Sequence, residues 1–181
     1  MPNRFFREKR ILGRVLARKQ LPGFVYRWDE RDIAVIRREG FQPWKPEGTI
    51  TLVEHVRGTY RRNACPRELS KYESQFVSTG SYGMLKRIDP TFACKAFSAN
   101  LYRIRTGIAL ETGVFQDVND AFDRSGIVRP YATQREWLKS GGIPARAIVA
   151  YMPGKTFIAQ YDIAKNVGPE EADLKGWLPF L

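Results

Sequence analysis

Turn-forming residues keep the apolar runs of this chain short. Phe24-Val25-Tyr26-Arg27-Trp28 follows Pro22-Gly23, and Gln75-Phe76-Val77-Ser78-Thr79 runs into Gly80. Glu136-Trp137-Leu138 is soon turned by Ser140-Gly141-Gly142, and Ala147-Ile148-Val149-Ala150-Tyr151 ends near Pro153-Gly154. Leu101 to Arg105 alternates apolar with polar residues. Runs of this kind read as strands. Many short strands with few helices predict an α+β domain dominated by antiparallel sheet.

In the first run Phe24, Tyr26 and Trp28 share one strand face, while Val25 and Arg27 share the other. A short helix is predicted to follow, with Asp29 as its cap, Ile33 and Ile36 turned inward and Gly40 ending it. Thr51 and Glu54 have capping-box spacing, which makes 52–57 one or two helical turns. Residues 58–73 read as a polar, basic loop, 91–99 and 113–123 as helices, 124–135 as a long loop, and Pro153-Gly154 as a hairpin turn. The terminal patch Trp177-Leu178-Pro179-Phe180-Leu181 is expected to pack back on the body.

A chain of 181 residues suits one domain whose core needs no staples. Its 43% apolar content excludes a disordered protein, and no stretch approaches the ~18 apolar residues of a membrane span. Gly13 and Arg14 break the apolar stretch of the basic N-terminus, which does not read as a secretory signal. The net charge of +11 is uneven: residues 1–20 carry seven Lys/Arg against Glu8, leaving +5 for the rest. Ile11/Val15 and Leu12/Leu16 recur at i,i+4, so 1–23 is a basic amphipathic helix or arm before a domain at 24–181. Such an arm suits an anionic surface, and equally a solvated extension or the remnant of a linker to a delivery domain. Cys65 and Cys94 can form one bridge at most, and two reduced thiols is the plainer reading. With a single histidine beside them, no metal site is expected.

Three distant stretches carry the functional signal: Arg27 on a strand, Ser78-Thr79 closing another, and Gln134-Arg135-Glu136 leading into a third. In that order they resemble the active site of the mono-ADP-ribosyltransferase toxins, and within that superfamily the pertussis-like members most. Gly40-Phe41-Gln42-Pro43-Trp44 is similar to the Gly-Phe-x-x-Trp of that group. Leu52-Val53-Glu54-His55-Val56-Arg57-Gly58 resembles its leucine-x-acid-His-Leu-x-Gly segment. Tyr131-Ala132-Thr133-Gln134-Arg135-Glu136-Trp137, with Ile143-Pro144 after it, resembles its aromatic-x-x-Gln-x-Glu-aromatic stretch. The likeness spans about residues 24–151. Thr79-Gly80 departs from the commoner Thr-Ser, no motif between Ser78 and Glu136 aligns, and Cys94 is no obvious partner for Cys65.

The resemblance implies the ADP-ribosyltransferase fold, antiparallel sheets and short helices around an NAD cleft, with NAD as substrate and no metal. Cleaving the nicotinamide–ribose bond builds an oxocarbenium-like sugar, so the enzyme must hold a diphosphate and set negative charge beside that sugar. By the same resemblance Arg27 pairs with the NAD phosphates or braces the site. Ser78 orients Glu136, Thr79 supports the strand end, and Tyr26 joins these four as the NAD-binding set. Glu136 holds the ribose hydroxyl and stabilises the cation, and His55 positions the acceptor or takes its proton. Tyr131, Gln134 and Trp44 face the acceptor. Glutamine at 134 goes, in that superfamily, with acceptors other than arginine: cysteine, asparagine or guanine.

The expected function is therefore an NAD-dependent mono-ADP-ribosyltransferase toxin or effector, secreted or injected into a target-cell cytoplasm, where it modifies a protein at a non-arginine acceptor. Nucleic acid is the second acceptor class, because the arm could neutralise phosphates and Tyr60, Tyr72 and Tyr131 lie beside basic residues. NAD hydrolysis without transfer, and a non-catalytic basic module holding RNA or a membrane surface, are the other readings. An immunity protein is a further candidate partner.

Overall fold

The computed structural model describes residues 20–60, 68–88, 90–129 and 135–181. Its centre is a seven-stranded antiparallel sheet in the spatial order β6-β7-β4-β1-β5-β8-β9. The strands are β1 (Phe24–Asp29), β4 (Phe76–Gly80), β5 (Asn100–Arg105), β6 (Phe115–Asp117), β7 (Glu136–Ser140), β8 (Ile148–Pro153) and β9 (Leu178–Pro179). A separate two-stranded ribbon pairs β2 (Thr59–Tyr60) with β3 (Glu68–Leu69). The short helices are α1 (Ile33–Glu39), α2 (Leu52–Arg57), α3 (Gly83–Lys86), α4 (Pro90–Ser98), α5 (Thr106–Ala109), α6 (Val118–Arg124) and α7 (Gly154–Ile158). The α+β architecture expected from the short runs is the one observed.

The sheet is two well-knit halves joined narrowly. β1 and β5 stay in register from Phe24↔Arg105 to Asp29↔Asn100, and β4 and β7 from Phe76↔Ser140 to Gly80↔Glu136. Between β1 and β4 the registered pair among the described residues is Tyr26↔Gly80 alone. Past that bridge the halves diverge, and the split is where the site forms.

Strand alternation sorts the core onto two faces. Val25, Val77, Tyr102, Ile104 and Trp137 bury themselves with Ile36 of α1, Phe41 and Phe180. On the opposite face Tyr26, Leu101 and Met152 pack with Leu85 and Phe157 on one side of the split. Phe76 and Leu138 pack with Leu52, Val118 and Phe122 on the other. Full burial of such a side chain stabilises by about 1.5–3 kcal/mol. The chain end closes the first core: β9 adds to β8, and Phe180 stacks edge-on to Tyr102.

Four local expectations are corrected. The cap of α1 is Asp32, which accepts a hydrogen bond from the Ala34 amide; Asp29 instead finishes β1 and binds arginines. Residues 58–73 are not a plain loop, since they hold β2, β3 and a 3₁₀ turn at Ser70–Glu73. The predicted helix 113–123 begins with strand β6, and α6 starts only after Asp117 caps it. Gly113, at φ 145°, keeps the chain extended against Ser140, where a Cβ would meet the carbonyl oxygen at 2.1 Å. Finally, Pro153-Gly154 is no hairpin: Pro153 ends β8 and Gly154 opens α7. Glycine is needed there for contact, because a Cβ would lie 1.7 Å from the Ala96 carbonyl oxygen of α4. The capping box at Thr51 and Glu54 forms as read. Residues 1–19 of the expected arm 1–23 lie outside the described residues, as does Cys65, while Cys94 is an exposed free cysteine.

Candidate active site

Glu136 opens β7 and pairs with Gly80, while Ser78 pairs with Leu138. Residues opposite one another on antiparallel strands share a face, so Ser78 and Glu136 are diagonal neighbours beside a glycine that puts nothing between them. Burial pushes the Glu136 carboxyl above the ordinary carboxylate range. A hydrogen bond from Ser78 and the charge of Arg27 work against that rise.

Alternation alone would send Arg27 to the face away from Glu136, because Tyr26 and Gly80 are paired. The split between β1 and β4 brings it back. Its Nη1 donates to the Ser78 carbonyl oxygen at 2.7 Å, spanning the gap. Its Nε and Nη2 donate to Asp29 Oδ2 at 3.3 and 3.2 Å, and its guanidinium carbon lies 5.2 Å from the centre of the Phe41 ring. Five N–H groups less these three bonds leave two for a ligand. Arg27 is thus placed to brace the split while still facing the cleft. Asp29 is shared: Arg31 also donates to it, from Nε at 2.8 Å and Nη2 at 2.9 Å.

His55 comes from the inner side of α2. Its Nε2 lies 3.0 Å from Ser78 Oγ, and its Nδ1 lies 2.6 Å from Ser74 Oγ. Burial first, and the Arg27 charge second, lower its pKa to about 4, so the imidazole is neutral at physiological pH. Thr79 is buried, with its hydroxyl donated to the Trp137 carbonyl oxygen at 2.8 Å. It ties β4 to β7 rather than offering a free group. Tyr26 is buried too, its hydroxyl committed to Glu171 and its ring edge-on to Tyr82.

Two adjoining cavities open from the split. A narrow one of about 150 Å³ is lined by Tyr26, Arg27, Trp28, Ser78, Thr79, Met84, Phe92 and Glu136. A wider one of about 660 Å³ shares Arg27, Trp28 and Phe92 with it, and adds Arg31, Lys95 and Trp44. Ligand pockets typically run about 300–1,000 Å³, so the pair has room for a dinucleotide. The wide end offers the cations Arg27, Arg31 and Lys95 beside the carboxylates of Asp29, already bound by two of those arginines, and Glu30, while Glu136 is the carboxylate of the narrow end. Trp44 stands 68% exposed at the rim and meets the half-exposed Tyr72 edge-to-face at 5.3 Å.

Of the residues expected from sequence, Arg27, Ser78, His55 and Glu136 converge here, with Tyr26 and Thr79 lining the narrow cavity and Trp44 the wide one. Tyr131 and Gln134 lie outside the described residues. Arg135, just before β7, turns left-handed at φ 47°, and strand geometry begins at Glu136. That turn costs about 1–2 kcal/mol in a non-glycine residue. It is held by a hydrogen bond from Ser81 N to the Arg135 carbonyl and by the side chain lying over Gly83. Sequence reading missed Ser74, Asp29, Arg31 and Lys95. The Asp-x-Arg spacing of 29 and 31 was a usable signal, but nothing marks Ser74.

The fold is that of known enzymes. The protein titled guanine-specific ADP-ribosyltransferase superposes with a TM-score of 0.51 at 20% identity, over 87% of this chain and 78% of its own. A single-substitution form of Scabin toxin from Streptomyces scabies gives 0.50 at 22% identity, over 85% of this chain and 74% of its own. A search of curated protein sequences finds no match. The Scabin-like profile matches residues 25–167, from the first core strand to beyond α7. Arginine, serine and glutamate gathered at a split in such a sheet, within a match of that extent, place the chain in the Scabin-like family of NAD-dependent ADP-ribosyltransferases.

Proposed function

We propose that this protein cleaves NAD at the nicotinamide–ribose bond and transfers ADP-ribose to a nucleobase, guanine foremost. In this reading Arg31, Lys95 and the two remaining N–H groups of Arg27 hold the diphosphate in the wide cavity, since guanidinium forks match phosphate oxygens. Glu136 sits beside the sugar in the narrow cavity and meets the positive charge that builds as the C1′–N bond breaks. The electron pair of that bond leaves with nicotinamide. A lone pair of the acceptor forms the new bond at C1′, and the acceptor gives up a proton.

The observation that carries the acceptor class is the Trp44–Tyr72 ledge. Two exposed rings stand at the cavity mouth, with the Lys71 ammonium 4.6 Å from the centre of the Tyr72 ring. An aromatic face flanked by cations favours a stacked base on a phosphate backbone, each stacked base being worth about 1–3 kcal/mol. The related fold titled guanine-specific points the same way. Incubating the protein with labelled NAD and a whole-cell lysate tests this. Label that survives protease and is released by nuclease supports it, whereas the reverse returns the acceptor to the protein class expected from the pertussis-like motifs. Label in neither, with free nicotinamide accumulating, would make the protein an NAD glycohydrolase.

A further inference from the structure

Ser74 takes no part in the assigned roles, yet it is fully buried and 2.6 Å from the histidine of the site. Its oxygen already accepts a hydrogen bond from the Phe76 amide at 3.1 Å. A hydroxyl has one proton, and a buried donor left unpaired is costly. Among the described residues the acceptor within reach of that proton is His55 Nδ1. With Nδ1 accepting, a neutral imidazole must carry its own proton on Nε2. That proton points at Ser78 Oγ, 3.0 Å away. Ser78 then receives from His55, so its single proton is free for the carboxylate of Glu136, its diagonal neighbour across β4 and β7 at the same narrow cavity.

The chain therefore has one direction: Phe76 amide to Ser74, Ser74 to His55, His55 to Ser78, Ser78 to Glu136. The opposite tautomer reverses it. Were Nδ1 protonated, Ser78 would donate to Nε2 and have nothing left for an ionised Glu136.

We propose that Ser74 is a positioning residue: its hydroxyl fixes His55 as the Nε2–H tautomer, and His55 in turn aims the Ser78 proton at Glu136. This rests on the reading of Glu136 as the group that meets the ribosyl charge. It makes His55 a neutral director of Ser78 rather than a base for the acceptor.

His55 is the single histidine of the chain, so its two ring nitrogens can be read without assignment ambiguity. Long-range ¹H–¹⁵N correlation on histidine-labelled protein at pH 7 is expected to show Nε2 protonated and Nδ1 bare. Ser74→Ala should populate the other tautomer and lower kcat for NAD cleavage about tenfold, with KM for NAD little changed. A wild-type protein protonated at Nδ1 overturns the proposal, and that measurement requires no variant to fold. So does Ser74→Ala that keeps the Nε2–H tautomer, or that switches it while kcat holds. The tautomer is read without NAD, so a protein that releases no nicotinamide yet shows Nε2–H would count against the functional reading alone.

Discussion

Arg27 gives two of its guanidinium nitrogens to Asp29, its neighbour two residues along the same strand face. The contact holds the side chain across the split in the sheet. Asp29 also takes Arg31. Burial works to raise the Asp29 carboxyl, and the hydrogen bonds and charges of Arg31 and Arg27 outweigh it and hold it below the usual range. A depressed carboxyl stabilises the fold above its unfolded pKa, and that contribution is lost as pH falls through the folded value. Asp29→Asn should therefore cost about 2 kcal/mol at pH 7, less than a fully buried pair because both guanidiniums are partly exposed. The deficit should shrink toward zero in strong acid, as urea unfolding at the two pH values would show.

His55 gives a second pH signature, of the same sign and at higher pH. Folded, it stays neutral down to about pH 4, while the unfolded chain protonates near the ordinary 6.5. Between those values the unfolded state binds the extra proton, so stability falls as pH drops through that window. The loss should approach about 3 kcal/mol. His55→Gln should unfold with a distinctly flatter dependence between pH 7 and 4; an unchanged slope would show that the imidazole is not buried as described.

Ser78→Ala should alter the pH–rate profile as well as the rate. The serine hydrogen bond lowers a Glu136 pKa that burial has raised, so its removal lets the pKa climb further. Activity needs the ionised carboxylate, and the acid limb of kcat should move to higher pH. A limb that stays in place while kcat drops would mean that Ser78 does not bond Glu136.

Lys139 sits fully buried on β7 and donates to the Ser140 carbonyl at 2.6 Å, to Thr112 Oγ1 at 3.3 Å and to the Gly142 carbonyl at 3.5 Å. It pins the turn after β7 to the segment before β6. Lys139→Met keeps the stem but removes the ammonium that donates to the Ser140 carbonyl, at a cost of about 1–3 kcal/mol. Thermal unfolding should drop by several degrees, with NAD cleavage at 20 °C little affected.

The strands were legible because a two-residue period survives in short stretches: Val25 and Tyr26 do go to opposite cores. The motif residues were legible as an ordered set, and the fold brings Arg27, His55, Ser78 and Glu136 together. What sequence could not reveal is how Arg27 arrives, since its strand face is the wrong one and only the divergence of β1 from β4 corrects it. Ser74 was hidden for a related reason: it works through a helix 19 residues away, and a lone serine before a strand carries no signal. The Pro153-Gly154 misreading came from turn propensity, when the glycine is there for close contact with α4.

Nicotinamide release from NAD by the purified protein and by Glu136→Gln tests the central claim most directly. Removing one preorganised charge contact typically costs about 10²–10³ in rate. Measurable release by the wild type is expected, with a loss of at least that order in the variant and an unchanged unfolding midpoint. Near-full activity in a folded Glu136→Gln protein would contradict that claim.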